Sequence, residues 1–389
     1  MKTASRTHGF TESVIRGMTR LANEHGAINL AQGFPNFPCP EVLKDAAAQA
    51  IRDDINQYAI TWGAKRLRDA LARKYRNWYG MEVNPETEIT VTCGATEAMA
   101  ATLLAIVDPG DEVIVLEPFY ENYGPDAILC GAKPVFVPIG ATGEIDPDRL
   151  QRAFSKRTRA IVVCTPNNPT GRVLSLAELE AIARLCAEHD AYAVTDEIYE
   201  HIYYEGRHTP IATLPGMRER TITISGASKT FSITGWRIGT IVAPAQVTDA
   251  IRKVHDFLTV GAPAPLQEAV AAALDTLGPE YYTALAADYR RRRDLLCSAL
   301  TAAGFTCTPP QGAYYVMAGF SALSSLPDDE FAAWLAVKHG VAAVPGSSFY
   351  SRPELGRTLV RFAFCKTDDL LVEAGRRLAA VGHARQRPA

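Results

Sequence analysis

The chain has 389 residues, 47% hydrophobic and 21% charged, with 40 Lys and Arg against 43 Asp and Glu for a formal net charge of −3. At about 150 residues per domain this length suggests two or three domains with a sizeable core, and the composition excludes a disordered chain. The near-neutral balance excludes a duplex nucleic-acid binder and a polybasic membrane binder, yet allows a small basic pocket.

The eight cysteines include no CxxC pair. No metal site or disulfide framework is expected, and the compartment is expected to be reducing and cytoplasmic. The start, MKTASRTHGFTESV, lacks the apolar run of a signal peptide. No stretch approaches ~20 continuous apolar residues, so no membrane-spanning helix is expected.

Along the chain, EITVT leads into CGATEAM (93–99), which opens a helical pattern. Apolar runs then predict strands at 112–118, 133–139, 159–166, 191–199, 220–226 and 237–244. Between them, SLAELEAIARLCAEHD (175–190) predicts a helix. Ser175 and Glu178 have capping-box spacing, and Leu176, Leu179, Ile182, Ala183 and Cys186 share one face. Strands alternating with helices predict an α/β domain with a mostly parallel sheet. A long helix follows over 279–303; its four arginines at 290–293 read as a solvated face. Two short strands, 313–320 and 359–364, belong to a smaller α+β domain. The first ~45 residues are expected to pack with it. The domains are therefore 45–280, and 1–44 with 281–389.

The chemistry gathers at strand ends. In SGASKTFSITGWRIG (225–239), Lys229 follows a strand and Arg237 stands eight residues on. A buried lysine can act as a nucleophilic amine, and a nearby arginine can clamp a phosphate. CGATEAM offers a Gly-Ala-Thr turn at a helix start, which suits an anion but is not a nucleotide P-loop. TPNNPTG (165–171) and TDEIY (195–199) end two further strands, where open α/β sheets bind ligands. Amine, phosphate clamp, carboxylate and phenol together match pyridoxal phosphate.

With these motifs the chain resembles the class I/II aminotransferases of pyridoxal-phosphate fold type I, in the order GFPNFP, NQY, GDEVIVLEPFYENY, TPNNPTG, TDEIY, LPGMRERTITI, SKTFSITGWRIG, PQGAYYVM and LVRFAF. It is most similar to the branch holding kynurenine/glutamine and methionine aminotransferases. The resemblance implies a mostly parallel seven-stranded sheet in a large domain. It implies transfer of the amino group of an L-amino acid to a 2-oxo acid in a ping-pong cycle.

Residue by residue, the resemblance implies that Lys229 is the Schiff-base lysine and proton carrier, with Asp196 and Tyr199 as its catalytic partners. Arg237, Ala95 and Thr96 would hold the phosphate. Asp196 would keep the pyridine nitrogen protonated, Tyr199 and Asn168 would donate to the ring oxygen, and Tyr120 would stack on the ring. Arg361, Gly33 and Asn168 would bind the substrate carboxylate. Tyr58 would reach the phosphate of a neighbouring subunit, which implies a homodimer with shared sites.

Many relatives carry Ser where this chain has Gly226, with Ser225 and Ser228 on either side. Which serine meets the phosphate stays open, with Ser228 the candidate. Val260-Gly261 stands where kynurenine enzymes carry Phe-His, which weakens a kynurenine assignment. The donor is aromatic, methionine/glutamine-like or aspartate; Phe10, Trp62, Tyr120 and Val260 suggest a pocket that tolerates apolar groups. The alternative is a pyridoxal-phosphate C–S β-lyase acting on cysteine conjugates. A regulator with an added DNA-binding domain is not expected, because the resemblance begins within ~30 residues of Met1.

Overall fold

The computed structural model describes residues 2–140 and 143–384. Its main sheet has seven strands: β1 (Ile89–Thr92), β2 (Glu112–Glu117), β3 (Lys133–Pro138), β4 (Thr158–Cys164), β5 (Tyr192–Asp196), β6 (Thr221–Gly226) and β7 (Gly239–Val242). Their order is β1-β7-β6-β5-β4-β2-β3. The β2–β3, β2–β4, β4–β5 and β5–β6 pairs are parallel. Strand β7 runs antiparallel to both of its neighbours. Helices cover both faces, so Val113, Ile114 and Val115 on β2 and Ile161, Val162 and Val163 on β4 are all buried.

Local chemistry sets the element ends. The helix Leu176–Glu188 starts at Ser175 with a full capping box to Glu178. Leu176 itself is exposed, so the buried face begins at Leu179. The run 191–199 is strand only to Asp196, because the Asp196 carboxylate accepts the Ile198 N–H (3.2 Å) and turns the chain. That turn keeps Asp196 and Tyr199 at the carboxyl end of β5 instead of sending the strand onward.

A second sheet is antiparallel, ordered Val344–Pro345, Leu359–Ala363, Tyr315–Gly319, Thr306–Cys307. Near the other end of the chain, Ile28–Asn29 pairs in parallel with Val341–Ala342. The helix Val14–Glu24 buries Ile15, Met18 and Ala22 in the apolar cluster that also holds Tyr289, Leu335 and Phe362. The helix Pro279–Ala302 carries the arginine run. Four consecutive residues sweep most of a helix circumference, so they cannot all face solvent. Arg293 is buried and donates to Glu205 (3.0 Å) and the Pro310 carbonyl (3.0 Å), and Arg292 lies 4.2 Å over the Phe37 ring. Only Arg290 and Arg291 are exposed. Among the described residues no helix is long and apolar enough to cross a membrane.

Candidate active site

The carboxyl ends of β4, β5 and β6 open into a cavity of about 420 Å³. Gly33, Ala95, Thr96, Tyr120, Asn168, Asp196, Tyr199, Ser228, Lys229, Arg237 and Arg361 all line it. Gly33 and Arg361, 328 positions apart, meet there although neither lies on the parallel sheet: Arg361 comes from the antiparallel strand Leu359–Ala363 and donates to the Ala31 carbonyl, two residues before Gly33.

One wall is built for an anion. The helix Ala95–Ile106 starts at Gly94 with no side-chain cap, leaving its first N–H groups without helical acceptors. Gly94 has φ +87°, and a Cβ there would lie 2.2 Å from an Arg237 nitrogen. The guanidinium therefore lies directly against the turn; it donates to the Thr234 carbonyl (2.9 Å) and reaches the Cys93 carbonyl (3.5 Å). A Cβ at Gly239 would fall 2.3 Å from the Gly94 carbonyl carbon, so β7 packs the turn from behind. Ser228 lines the cavity, whereas Ser225 is buried and gives its hydroxyl to Glu200. At Gly226 a Cβ would meet the Ile238 carbonyl at 2.8 Å, so this backbone leaves room for glycine only.

The floor holds Asp196, Tyr199 and Lys229. Asp196 is buried, accepts the Tyr123 hydroxyl (2.7 Å), and has no cationic partner within ion-pair distance among the described residues. Burial raises its pKa against the pull of Tyr123 and Ile198. Burial also holds the Tyr199 phenol well above its ordinary value, and its hydroxyl lies 3.1 Å from that of Tyr315. Lys229 follows β6 on the short helix Ala227–Thr230 and donates to the Gly33 carbonyl (3.3 Å). Its amine is pushed down to about 8, chiefly by burial; Cys365 and Asp196 oppose the shift, and Arg237 and Arg361 add to it. The shift favours the neutral form that a nucleophilic amine requires.

Arg361 is fully buried on the strand Leu359–Ala363. It donates to Asn168 Oδ1 (2.8 Å) and the Ala31 carbonyl (2.7 Å) and lies 4.2 Å over the Tyr315 ring. Its Nε has no partner, and among the described residues no carboxylate pairs with it. A buried cation without a counter-ion costs several kcal/mol. Gly33 is needed beside it, since a Cβ there would overlap the Tyr315 hydroxyl.

The cavity's own groups thus lack an anion for Arg237 and the helix start, a cation for Asp196, a carbonyl for Lys229, and a second anion for Arg361. Pyridoxal phosphate and an amino acid fit that set.

Tyr58 is not in this cavity; it is 86% exposed. Phe10, Trp62 and Val260 also lie outside it, and of the apolar residues expected there only Tyr120 lines it. Sequence reasoning missed Tyr123, Tyr315, Ser13, Arg16, Gln32 and Phe34 as lining residues. Tyr123 and Tyr315 stand inside quoted motifs, EPFYENY and GAYYVM, and spacing from Tyr120 and Arg361 gave no sign of them. Arg16 has no motif to mark it.

Residues 25–378 match the family Aminotransferase class I and II. A probable N-succinyldiaminopimelate aminotransferase of Mycobacterium tuberculosis is 43% identical over the whole of both chains. Methionine aminotransferase of Escherichia coli is 38% identical, covering 94% of this chain and 95% of its own. The solved structure of N-succinyldiaminopimelate aminotransferase from M. tuberculosis superposes with a TM-score of 0.95 at 43% identity, covering 98% of this chain and 100% of the other.

Proposed function

The chain belongs to the class I and II aminotransferases and is a pyridoxal-phosphate-dependent enzyme, and on that premise we propose how its residues divide the reaction. When bound, pyridoxal phosphate supplies a carbonyl for the substrate nitrogen and a ring that accepts the electron pair left at Cα. Arg237, Ser228 and the free N–H groups at Ala95 and Thr96 hold the phosphate. Asp196, oriented by Tyr123, keeps a proton on the ring nitrogen. Tyr199 and Asn168 would donate to the ring oxygen, and Tyr120 would pack on the ring. Lys229 is the amine that would join the cofactor carbonyl and, once the substrate amine displaces it, the base that would hold the proton from the substrate Cα. Arg361 binds the α-carboxylate with help from Asn168 and the Gly33 backbone.

The observation that carries this reading is Arg361. Its guanidinium is fully buried, lacks a carboxylate and has a free Nε in a cavity shared with Lys229. A substrate carboxylate supplies the missing charge and fixes Cα relative to the lysine amine.

The second component of the site is another copy of the chain. Tyr58 and Phe257 are 86% and 92% exposed, and Ile51, Ile55, Ile60, Leu258 and Val260 in the same two segments are exposed as well. Gly261 adjoins Thr61, which joins the two segments into one apolar face. We place the partner subunit there, with Tyr58 serving its phosphate, in a cytoplasmic homodimer. The cofactor-binding unit is 45–280, and the smaller unit combines 1–44 with 281–389.

The rest of the cavity wall is mixed, with Ile15 and Phe34 beside Ser13, Arg16 and Gln32. It suits a long, flexible donor side chain: methionine- or glutamine-like, or the longer acidic chain named for the mycobacterial relative. A panel of L-methionine, L-glutamine, L-aspartate, L-phenylalanine, L-kynurenine and N-succinyl-L,L-diaminopimelate, each with 2-oxoglutarate or pyruvate, tests this. The expected result is 2-oxo acid formation, fastest with methionine, glutamine or N-succinyl-L,L-diaminopimelate. Preference for phenylalanine or kynurenine would contradict that choice of donor.

A further inference from the structure

The turn that carries Ala95 and Thr96 is gripped from behind by a buried histidine. His255, on the helix Ala245–Thr259, is fully buried. Its Nδ1 lies 2.6 Å from Glu97 Oε1, and its Nε2 lies 2.8 Å from the Thr61 carbonyl oxygen. A carboxylate and a carbonyl only accept, so both ring nitrogens must carry protons and the ring is an imidazolium. The other contacts of Glu97 are donors as well: the Cys93 N–H to Oε2 (2.5 Å) and the Thr259 hydroxyl to Oε1 (3.0 Å).

Glu97 is the third residue of the helix Ala95–Ile106. Its charge therefore lies within one turn of the N–H groups assigned to the phosphate, where an unbalanced carboxylate repels a phosphate dianion. We propose that His255 is a positioning residue for the cofactor phosphate: its imidazolium neutralises Glu97 and fixes the 93–97 turn against Thr61, so that cofactor affinity falls as the ring loses its proton. The inference rests on the phosphate reading of Ala95, Thr96 and Arg237.

The charged and titratable groups facing the ring are few. Glu97 comes from the neighbouring helix, and Asp256 is on the ring's own helix. Thr61 presents only its carbonyl. Cys93 and Arg237 act through the turn, where the guanidinium reaches the Cys93 carbonyl. Burial works against the charged ring, but the Glu97 hydrogen bond and charge and the Thr61 carbonyl prevail, and the pKa rises. The imidazolium is thus present below that raised value and lost as pH climbs through it.

The test compares the dissociation constants of pyridoxal phosphate and of phosphate-free pyridoxal for the full chain and His255→Gln, by equilibrium dialysis from about pH 6 to about pH 9. At the acid end the variant should bind pyridoxal phosphate about tenfold more weakly than the parent chain, the scale of a lost charge-assisted hydrogen bond. The gap should narrow toward the alkaline end as the parent's ring loses its proton, and pyridoxal should show no gap. A gap that is absent, constant with pH, or equal for pyridoxal overturns the inference, since mere structural damage is blind to pH and to the phosphate. If His255→Gln does not fold, Glu97→Gln carries the test. It should bind pyridoxal phosphate more tightly than the parent at the alkaline end, and equal or weaker binding overturns the inference. A parent chain that binds both probes equally contradicts the phosphate reading instead.

Discussion

Lys229→Ala should reduce kcat by about 10⁴-fold or more, because general-base catalysis alone contributes about 10²–10⁴ and the covalent anchor is lost with it. An amine is required to join the cofactor carbonyl, and Lys229 is the only lysine among the cavity's lining residues. Burial has already pushed that amine down to about 8, so it needs little help to shed its proton near neutral pH. Its neighbours cannot substitute. The Tyr199 phenol is held well above its ordinary value and the Cys164 thiol is pushed up to about 12, both chiefly by burial. The cofactor should still bind, non-covalently, through Arg237, the helix start and Asp196. Absorbance spectra and retention of pyridoxal phosphate on gel filtration check that half of the prediction. A normal kcat in this variant would remove Lys229 from the reaction.

Arg361→Met should separate activity from stability. The substitution keeps a long side chain but deletes a buried cation that has no carboxylate partner. Losing one side of a buried, hydrogen-bonded charge pair costs about 2–5 kcal/mol, so kcat/KM for the amino acid should fall about 30- to 5,000-fold. Folding should not suffer in proportion. The unliganded protein sheds an uncompensated charge, although Asn168 and the Ala31 carbonyl each lose a donor. Urea unfolding beside steady-state kinetics reads both quantities. A large loss of stability with nearly normal kcat/KM would mark Arg361 as structural.

The parts of the site legible in the sequence are those fixed by strand ends. Asp196, Lys229 and the TPNNPTG turn each follow an apolar run, and a parallel sheet must bring such ends to one edge. The run 191–199 was harder, because nothing in its apolar pattern shows that the Asp196 carboxylate captures a backbone N–H and ends the strand. The arginines at 290–293 illustrate a related limit. A charge run reads as solvated, but helix geometry forces one member inward, and only the fold reveals that Arg293 meets Glu205. Ser13, Arg16 and Gln32 reach the cavity through the packing of Val14–Glu24 and the pairing of Ile28–Asn29 with Val341–Ala342, contacts more than 300 residues apart in sequence. Spacing along the chain carries no trace of them. Tyr58 is the opposite case: its motif is plain, but its side chain is exposed and stands outside the cavity of its own chain.

The central claim is that this cavity exchanges an amino group between an amino acid and the cofactor. The most direct test mixes the holoenzyme with an excess of one L-amino acid donor and no 2-oxo acid acceptor, then follows the cofactor absorbance and the products. The account predicts conversion of the cofactor to its amine form with one 2-oxo acid released per site, after which the reaction stops until an acceptor is added. Continuous release of pyruvate and ammonia from a cysteine conjugate, with the cofactor unchanged and no amine form from any donor, would contradict it and favour the C–S lyase.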